Sequence, residues 1–261
     1  DFVIIDNRQK ITNLTKDQII KICDRNFIGC DQLIFIESSK SSDANLKFFN
    51  SDGGESGACG NGTRCVAKLI SEETKSENII LSTSSGNLKS KILDKNIVTT
   101  EIGKAKLQWN EIPLSEKLDT KNLDIKIIDL NNKEHSGGTA VNVGNPHVVF
   151  FVDEIEDFNI EKIGPEIENH KIFPEKCNVT IAKIINKNLI KVKVWERGAG
   201  LTKACGTAAC ATAFAGKLKN ITENKTEIEF QTGKLSILID DKNSIHMKGL
   251  VSDVKEIEFK L

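Results

Sequence analysis

A chain of 261 residues is long enough for one large or two modest domains, each able to bury an apolar core. Thirty-six basic against 37 acidic residues leave a formal charge of −1, which excludes a general attraction for nucleic acid or an anionic membrane. With 39% hydrophobic and 28% charged residues, and no apolar run near the roughly 18 residues of a membrane-spanning helix, the composition is that of a soluble globular protein.

In chain order, short apolar or alternating runs predict strands at Phe2 to Ile5, Leu33 to Ile36, Leu46 to Phe49, Asn78 to Leu81 and Ile97 to Ile102. They continue at Val148 to Val152, Val179 to Ile185, Leu189 to Trp195 and Leu235 to Ile239. Their β-branched and aromatic content, with Ser, Asn and Gly between them, is what a pleated, half-buried surface favours. Two segments break the rhythm. Cys65 to Ile70 reads as a helix, and so does the alanine-rich Ala208 to Leu218, which is apolar on every side and is expected to be buried and wrapped by sheet. Ser38 to Asp43 reads as a polar loop and Glu72 to Glu77 as a solvated linker.

The halves of the chain echo each other. Cys59-Gly60 returns as Cys205-Gly206, 146 positions on, and Asp94-Lys95-Asn96 returns as Asp241-Lys242-Asn243 at 147. Gly86 and Leu88 return as Gly233 and Leu235, Gly103 as Gly249, and the run Phe2 to Ile5 is answered by His147 to Phe150. Taken in order, these matches predict a duplicated unit: strands, one helix entered through Ala-Cys-Gly, then a hairpin turning at Asp-Lys-Asn.

A duplicated fold puts equivalent residues about a pseudo-twofold axis, so Cys59 and Cys205 are expected to face one cleft from opposite sides. Inverting a stereocentre needs that symmetry, with a base on one face of the carbon and a similar acid on the other. Each cysteine precedes a predicted helix, where free N–H groups and the helix dipole are expected to lower a thiol pKa and to receive a carboxylate. Charge developing on that carboxylate would be stabilised by the same donors. Cys23, Cys30, Cys65, Cys177 and Cys210 read as core packing. The spacings Cys59-x5-Cys65 and Cys205-x4-Cys210 do not fit a structural zinc module, and no C-x-x-C marks a redox dithiol, so no metal is expected. An odd cysteine count without a basic-then-apolar leader points to a reducing cytoplasm.

The longer motifs carry a resemblance. Phe49-Asn50-Ser51-Asp52-Gly53-Gly54-Glu55 leads into Ala58-Cys59-Gly60-Asn61-Gly62-Thr63-Arg64-Cys65, followed far downstream by Gly144-Asn145-Pro146-His147. Trp195-Glu196-Arg197-Gly198-Ala199-Gly200 leads into Thr202-Lys203-Ala204-Cys205-Gly206-Thr207. Together they resemble the diaminopimelate epimerase family over essentially the whole chain. Proline racemases and phenazine-biosynthesis isomerases share that fold, but these stretches are similar to the epimerase.

The resemblance implies an α+β fold of two pseudo-symmetric mixed β-barrel domains, each around a central helix, with the active site in the cleft between them. Residues 1–105 with 250–261 would form the domain carrying Cys59, and 106–249 the domain carrying Cys205. It implies cofactor-free interconversion of LL- and meso-diaminopimelate, on the lysine and peptidoglycan route, by a cytoplasmic enzyme expected to be a homodimer. Cys59 and Cys205 match the catalytic pair, and His147 and Glu196 the residues that tune them. Gln32, Asn50, Gly60, Asn61, Asn145, Asn178, Glu196, Arg197, Gly206 and Thr207 match substrate-binding positions. Gln32 and Asn178, like Asn50 and Glu196, are 146 apart. Arg197 and Glu196 suit a distal zwitterion, needing a planar cation and an anion. Taken alone, that pair reads as a surface ion pair and His147 as a strand histidine; His135, His170 and His246 match nothing and read as surface residues.

Two alternatives stay open: a proline or hydroxyproline racemase of the same fold, or a binding module without activity. The family carries Gly-Asn just before Asp-Phe-Val, a point that here falls upstream of Asp1, where the repeat places Gly144-Asn145. The expected consequence of lacking that segment is a kept fold with activity impaired. Ala208 replaces a usual glycine, with slight expected effect.

Overall fold

The computed structural model describes residues 1–57 and 59–260, so Ala58 of the first cysteine motif and Leu261 lie outside the described residues. The chain divides into two compact units, Asp1–Glu101 with Gly249–Leu261, and Ile102–Lys248. No described helix is long and apolar enough to cross a membrane.

In the first unit, β1 (Phe2–Asp6), α1 (Lys16–Cys23) and β2 (Gln32–Glu37) form a parallel crossover. β3 (Ala44–Asn50) pairs antiparallel with β2 and with β4 (Glu55–Ser56). The chain then runs through α2 (Gly60–Thr74) to β5 (Asn78–Thr83), parallel to β3, and on to the antiparallel strands β6 (Gly86–Asp94) and β7 (Ile97–Lys104). The period of two explains why β2 is apolar throughout. Leu33 and Phe35 pack with Ile19 and Ile22 of α1, while Ile34 and Ile36 pack with Val66, Ala67 and Ile70 of α2. The sheet lies between an outer and an inner helix.

The second unit begins with three short strands, β8 (Lys126–Ile128), β9 (Glu134–Ser136) and β10 (Thr139–Asn142). It then repeats the first unit's scheme. β11 (Pro146–Phe151), α3 (Ile160–Glu168) and β12 (Asn178–Asn186) form the parallel crossover, and β13 (Leu189–Glu196) pairs antiparallel with β12 and with β14 (Gly200–Thr202). α4 (Gly206–Leu218) leads to β15 (Lys225–Phe230), parallel to β13, followed by antiparallel β16 (Gly233–Ile239) and β17 (Ser244–Leu250). Register repeats as well as order: Ile79 opposite Ser90 is matched by Thr226 opposite Ile237, and Ser90 opposite Thr100 by Ile237 opposite Met247. This is the mixed α+β architecture expected. α4 is the inner helix of its unit, with every residue from Ala208 to Gly216 buried against strand side chains such as Val149, Val192, Ile228 and Ile237.

Several local expectations are corrected. Glu72, Glu73 and Thr74 are helical, because α2 continues until Lys75 takes a left-handed cap with φ 60° and donates its N–H to Ser71 O at 2.8 Å. α1 and α3 had no counterpart in the apolar pattern. Their sequence signals are caps: Thr15 with Gln18 forms a reciprocal capping box, and Asn159 accepts from Lys162 N–H. His135 and His246 are half-buried rather than on the surface. Each bonds an aspartate six residues earlier, Asp129 at 2.9 Å and Asp240 at 3.2 Å, and both aspartates also accept two backbone N–H groups of the intervening turn. Half-buried His170 accepts the Ile172 N–H.

Close helix-to-sheet approach depends on missing side chains. A Cβ at Gly164 of α3 would lie 2.3 Å from Trp195 Cγ on β13. Gly164→Ala is therefore expected to cost about 1–3 kcal/mol by overpacking, read as a lower denaturation midpoint with an unchanged m-value.

Candidate active site

Cys59 and Cys205 occupy the same structural position in the two units: each is the N-cap of the inner helix, with φ −140°, ψ 112° at Cys59 and φ −144°, ψ 116° at Cys205. The carbonyl of each accepts the first intrahelical bond, from Thr63 N–H at 2.8 Å and Ala209 N–H at 3.0 Å. That leaves the sulfur beside the unpaired N–H groups of the first turn. Gly60 and Gly206 open the helices. Gly62 lets α2 approach the sheet, since a Cβ there would lie 2.7 Å from Ile34 Cδ1.

The thiol surroundings differ. Cys59 is half-buried, and its sulfur accepts the Gly62 N–H at 3.4 Å and faces that of Asn61. Cys205 is buried; its sulfur donates to Glu196 Oε2 at 3.1 Å and lies 3.4 Å from Thr207 Oγ1. The sequence-based expectation of depressed thiol pKa values does not hold in this structure. Burial pushes Cys59 up despite the N–H groups that favour its thiolate. Burial, reinforced by the Glu196 carboxylate, pushes Cys205 well up. Desolvation outweighs the helix N-terminus at both sulfurs.

The remaining expected residues fall into local groups. In the first unit Gln32 and Asn50 are opposite each other on β2 and β3, and Gln32 Nε2 donates to Asn50 Oδ1 at 2.8 Å. Asn61 Oδ1 accepts from Arg64 Nη2 at 3.0 Å. In the second unit Asn178 is a clamp: its Nδ2 donates to Pro146 O at 2.9 Å and its Oδ1 accepts the Arg197 N–H at 3.0 Å. It thereby ties the start of β11 to the turn after β13. The Arg197 side chain donates through Nη1 to Glu175 O at 2.7 Å. His147 Nε2 lies 2.7 Å from Asn145 Oδ1, and among the described residues no hydrogen bond joins His147 to Cys205. Two clefts in the second unit, of about 110 and 380 Å³, are lined by none of these residues. One residue that sequence reasoning missed is Glu168, which bonds both Trp195 and Gly198; no motif marks it, only its place at the end of a helix.

This fold is shared with amino-acid epimerases and racemases. A predicted epimerase from Pseudomonas aeruginosa matches with a TM-score of 0.66 at 11% identity, covering 99% of this chain and 93% of that one. A hydroxyproline epimerase from Agrobacterium vitis matches with a TM-score of 0.63 at 13% identity, covering 90% of this chain and 76% of that one. At such identities the likeness concerns the fold. The sequence is more particular: the diaminopimelate epimerase family model matches residues 1–108 and 139–254. A diaminopimelate epimerase from Pelagibacter ubique (strain HTCC1062) is 67% identical over 261 residues, 100% of this chain and 95% of that protein. The chain belongs to the diaminopimelate epimerase family.

The buried histidine makes the fold sensitive to acid. Burial, with the Arg197 guanidinium nearby, pushes the His147 imidazole down to about 3, whereas an unfolded chain protonates it near 6.5. Between those values the unfolded state binds the extra proton, so stability present above about pH 6.5 is lost as pH falls toward 3. The denaturation midpoint of the wild type is expected to drop between pH 7 and pH 5, and that of His147→Gln to drop less.

Proposed function

We propose that this chain interconverts LL- and meso-diaminopimelate without a cofactor, with Cys59 and Cys205 as the acid–base pair, in the cytoplasmic supply of lysine and peptidoglycan precursors. The observation that carries this reading is the repeated cysteine N-cap, two thiols with matching backbone in units of matching topology. Identity of 67% over the whole chain to a diaminopimelate epimerase supports the substrate.

The chemistry asks for one sulfur to remove the α-proton while the other delivers a proton to the opposite face. The asymmetry of the two thiols suits this start. Glu196 Oε2, at 3.1 Å from Cys205 Sγ, accepts that thiol's hydrogen bond and holds it protonated, so Cys205 starts as the acid that delivers a proton. Cys59, whose sulfur receives N–H groups that favour its thiolate, is in its ionised form the base that removes the α-proton. One proton leaves the α-carbon and one arrives, so the roles of the sulfurs are exchanged after each turnover. The Gly60, Asn61, Gly206 and Thr207 helix starts offer donors to the reacting carboxylate, where charge accumulates in the transition state. Arg197 and Glu196 supply opposite charges for a distal amino-acid group, with Gln32, Asn50, Asn145 and Asn178 as its polar surroundings. His147, held neutral, acts in this reading through Asn145 rather than by accepting a proton.

In deuterium oxide, LL-diaminopimelate is expected to yield product deuterated at the inverted centre while recovered substrate is at first unlabelled. Cys59→Ala and Cys205→Ala are each expected to lower turnover by a factor on the order of 10²–10⁴ or more, the range of a lost general acid or base. Label entering substrate ahead of product, or either variant working at near wild-type rate, defeats the two-thiol mechanism; no turnover by the wild type defeats the substrate assignment.

A further inference from the structure

The carboxyl group of Glu168 is buried, its side chain only 7% exposed at the end of α3. Both oxygens are spent on the residues that flank Glu196 and Arg197. Oε2 accepts the Trp195 indole N–H at 2.7 Å, and Oε1 accepts the Gly198 backbone N–H at 3.1 Å, with Lys176 Nζ 3.8 Å away. Between those two anchors the Arg197 N–H is taken by Asn178. The four-residue segment is thus pinned at each end by one carboxylate and in its middle by one amide. Gly164, four residues before Glu168 and so on the same face of α3, clears the space in which the Trp195 ring lies.

Mere packing does not call for this arrangement, and the repeat supplies the comparison. Positions 146 upstream of Glu168 and Trp195 are Ile22 and Phe49. Ile22 is fully buried, Phe49 packs in the same cluster, and the strand they support ends in Asn50-Ser51. The first unit solves the same helix-to-sheet contact with apolar side chains alone. Where the strand ends in Glu196-Arg197, both partners change together, to a carboxylate and a ring that carries a donor. A buried carboxylate costs desolvation that an isoleucine does not, so its presence at this position points to placement rather than to cohesion.

We infer that Glu168 is a positioning residue for the reaction: by holding Trp195 and Gly198, it sets Glu196 against the Cys205 sulfur and aims Arg197 at the distal group of the substrate. This rests on the function proposed above.

The test compares Glu168→Gln and the milder Trp195→Phe with wild type and with Ile163→Val, which trims the same helix's buried face but takes no part in the clamp's hydrogen bonds. Kinetics with LL-diaminopimelate are measured below each protein's melting temperature, and the pH profile of Cys205 alkylation by iodoacetamide is followed by peptide mapping. Glu168→Gln is expected to lower kcat/KM at least tenfold, Trp195→Phe less, and Ile163→Val less than twofold. With Glu196 released from the sulfur, the Cys205 alkylation profile is expected to move to lower pH in Glu168→Gln but not in Ile163→Val. If Glu168→Gln does not fold, Trp195→Phe decides by the same two readouts. Wild-type kcat/KM or an unmoved Cys205 profile in the clamp variants overturns the inference, as does an equal change in Ile163→Val. If the wild type turns over no diaminopimelate, the functional reading fails, and the alkylation profiles alone then decide the role of Glu168.

Discussion

A helix enclosed by sheet must find partners for the N–H groups of its first turn, and the inner helix of the first unit does so in part with sulfur. Cys59 sits in an extended conformation, passes its carbonyl to Thr63, and turns its side chain back onto the Gly62 N–H. The glycine is needed because any side chain at position 62 would meet Ile34 and Phe48. Chemistry and packing are therefore coupled: the contact that seats α2 against its strands also places the thiol.

The repeat builds two such starts and then makes them unlike. Cys59 has backbone donors around its sulfur, while Cys205, besides the Ala208 N–H, faces a carboxylate and a hydroxyl. Closely similar backbones thus hold two thiols with different partners, one sulfur meeting N–H groups and the other a carboxylate as well. Burial raises both, so in the proposed reaction the ionised form rests on the donors beside the sulfur. The same divergence runs one layer deeper, where Ile22 and Phe49 in one unit face Glu168 and Trp195 in the other.

Much of this was legible in the sequence because it rests on short-range rules. The strands around Leu33 and Val179 are apolar on both faces, and those around Leu46 and Leu189 alternate apolar residues with lysine, both of which are local signals of a strand. The cysteine motifs are long, and their 146-residue offset exposes the duplication that the strand pairing repeats. What escaped was set by partners distant in sequence. α1 and α3 are short and partly charged, so only their caps announce them. β6, β15 and β17 carry lysine or glutamate on their outward faces and bury Ser90, Thr226 and Ser244, which dilutes the apolar signal. The direction of the thiol pKa values depends on how much protein surrounds each sulfur, a quantity that local motifs do not encode. Glu168 has no motif at all, since its meaning comes from Trp195 and Gly198, some thirty residues away.

The indole that Glu168 holds has one more consequence. The chain contains two tryptophans and no tyrosine, and Trp195 is the immediate neighbour of Glu196 while Trp109 packs among apolar residues of the second unit. Intrinsic ultraviolet emission from this protein thus comes from a pair of rings, one of them hydrogen-bonded to a carboxylate beside the Glu196-Arg197 turn. The molecule carries its own optical probe of that turn, readable without label, ligand analogue or added chromophore.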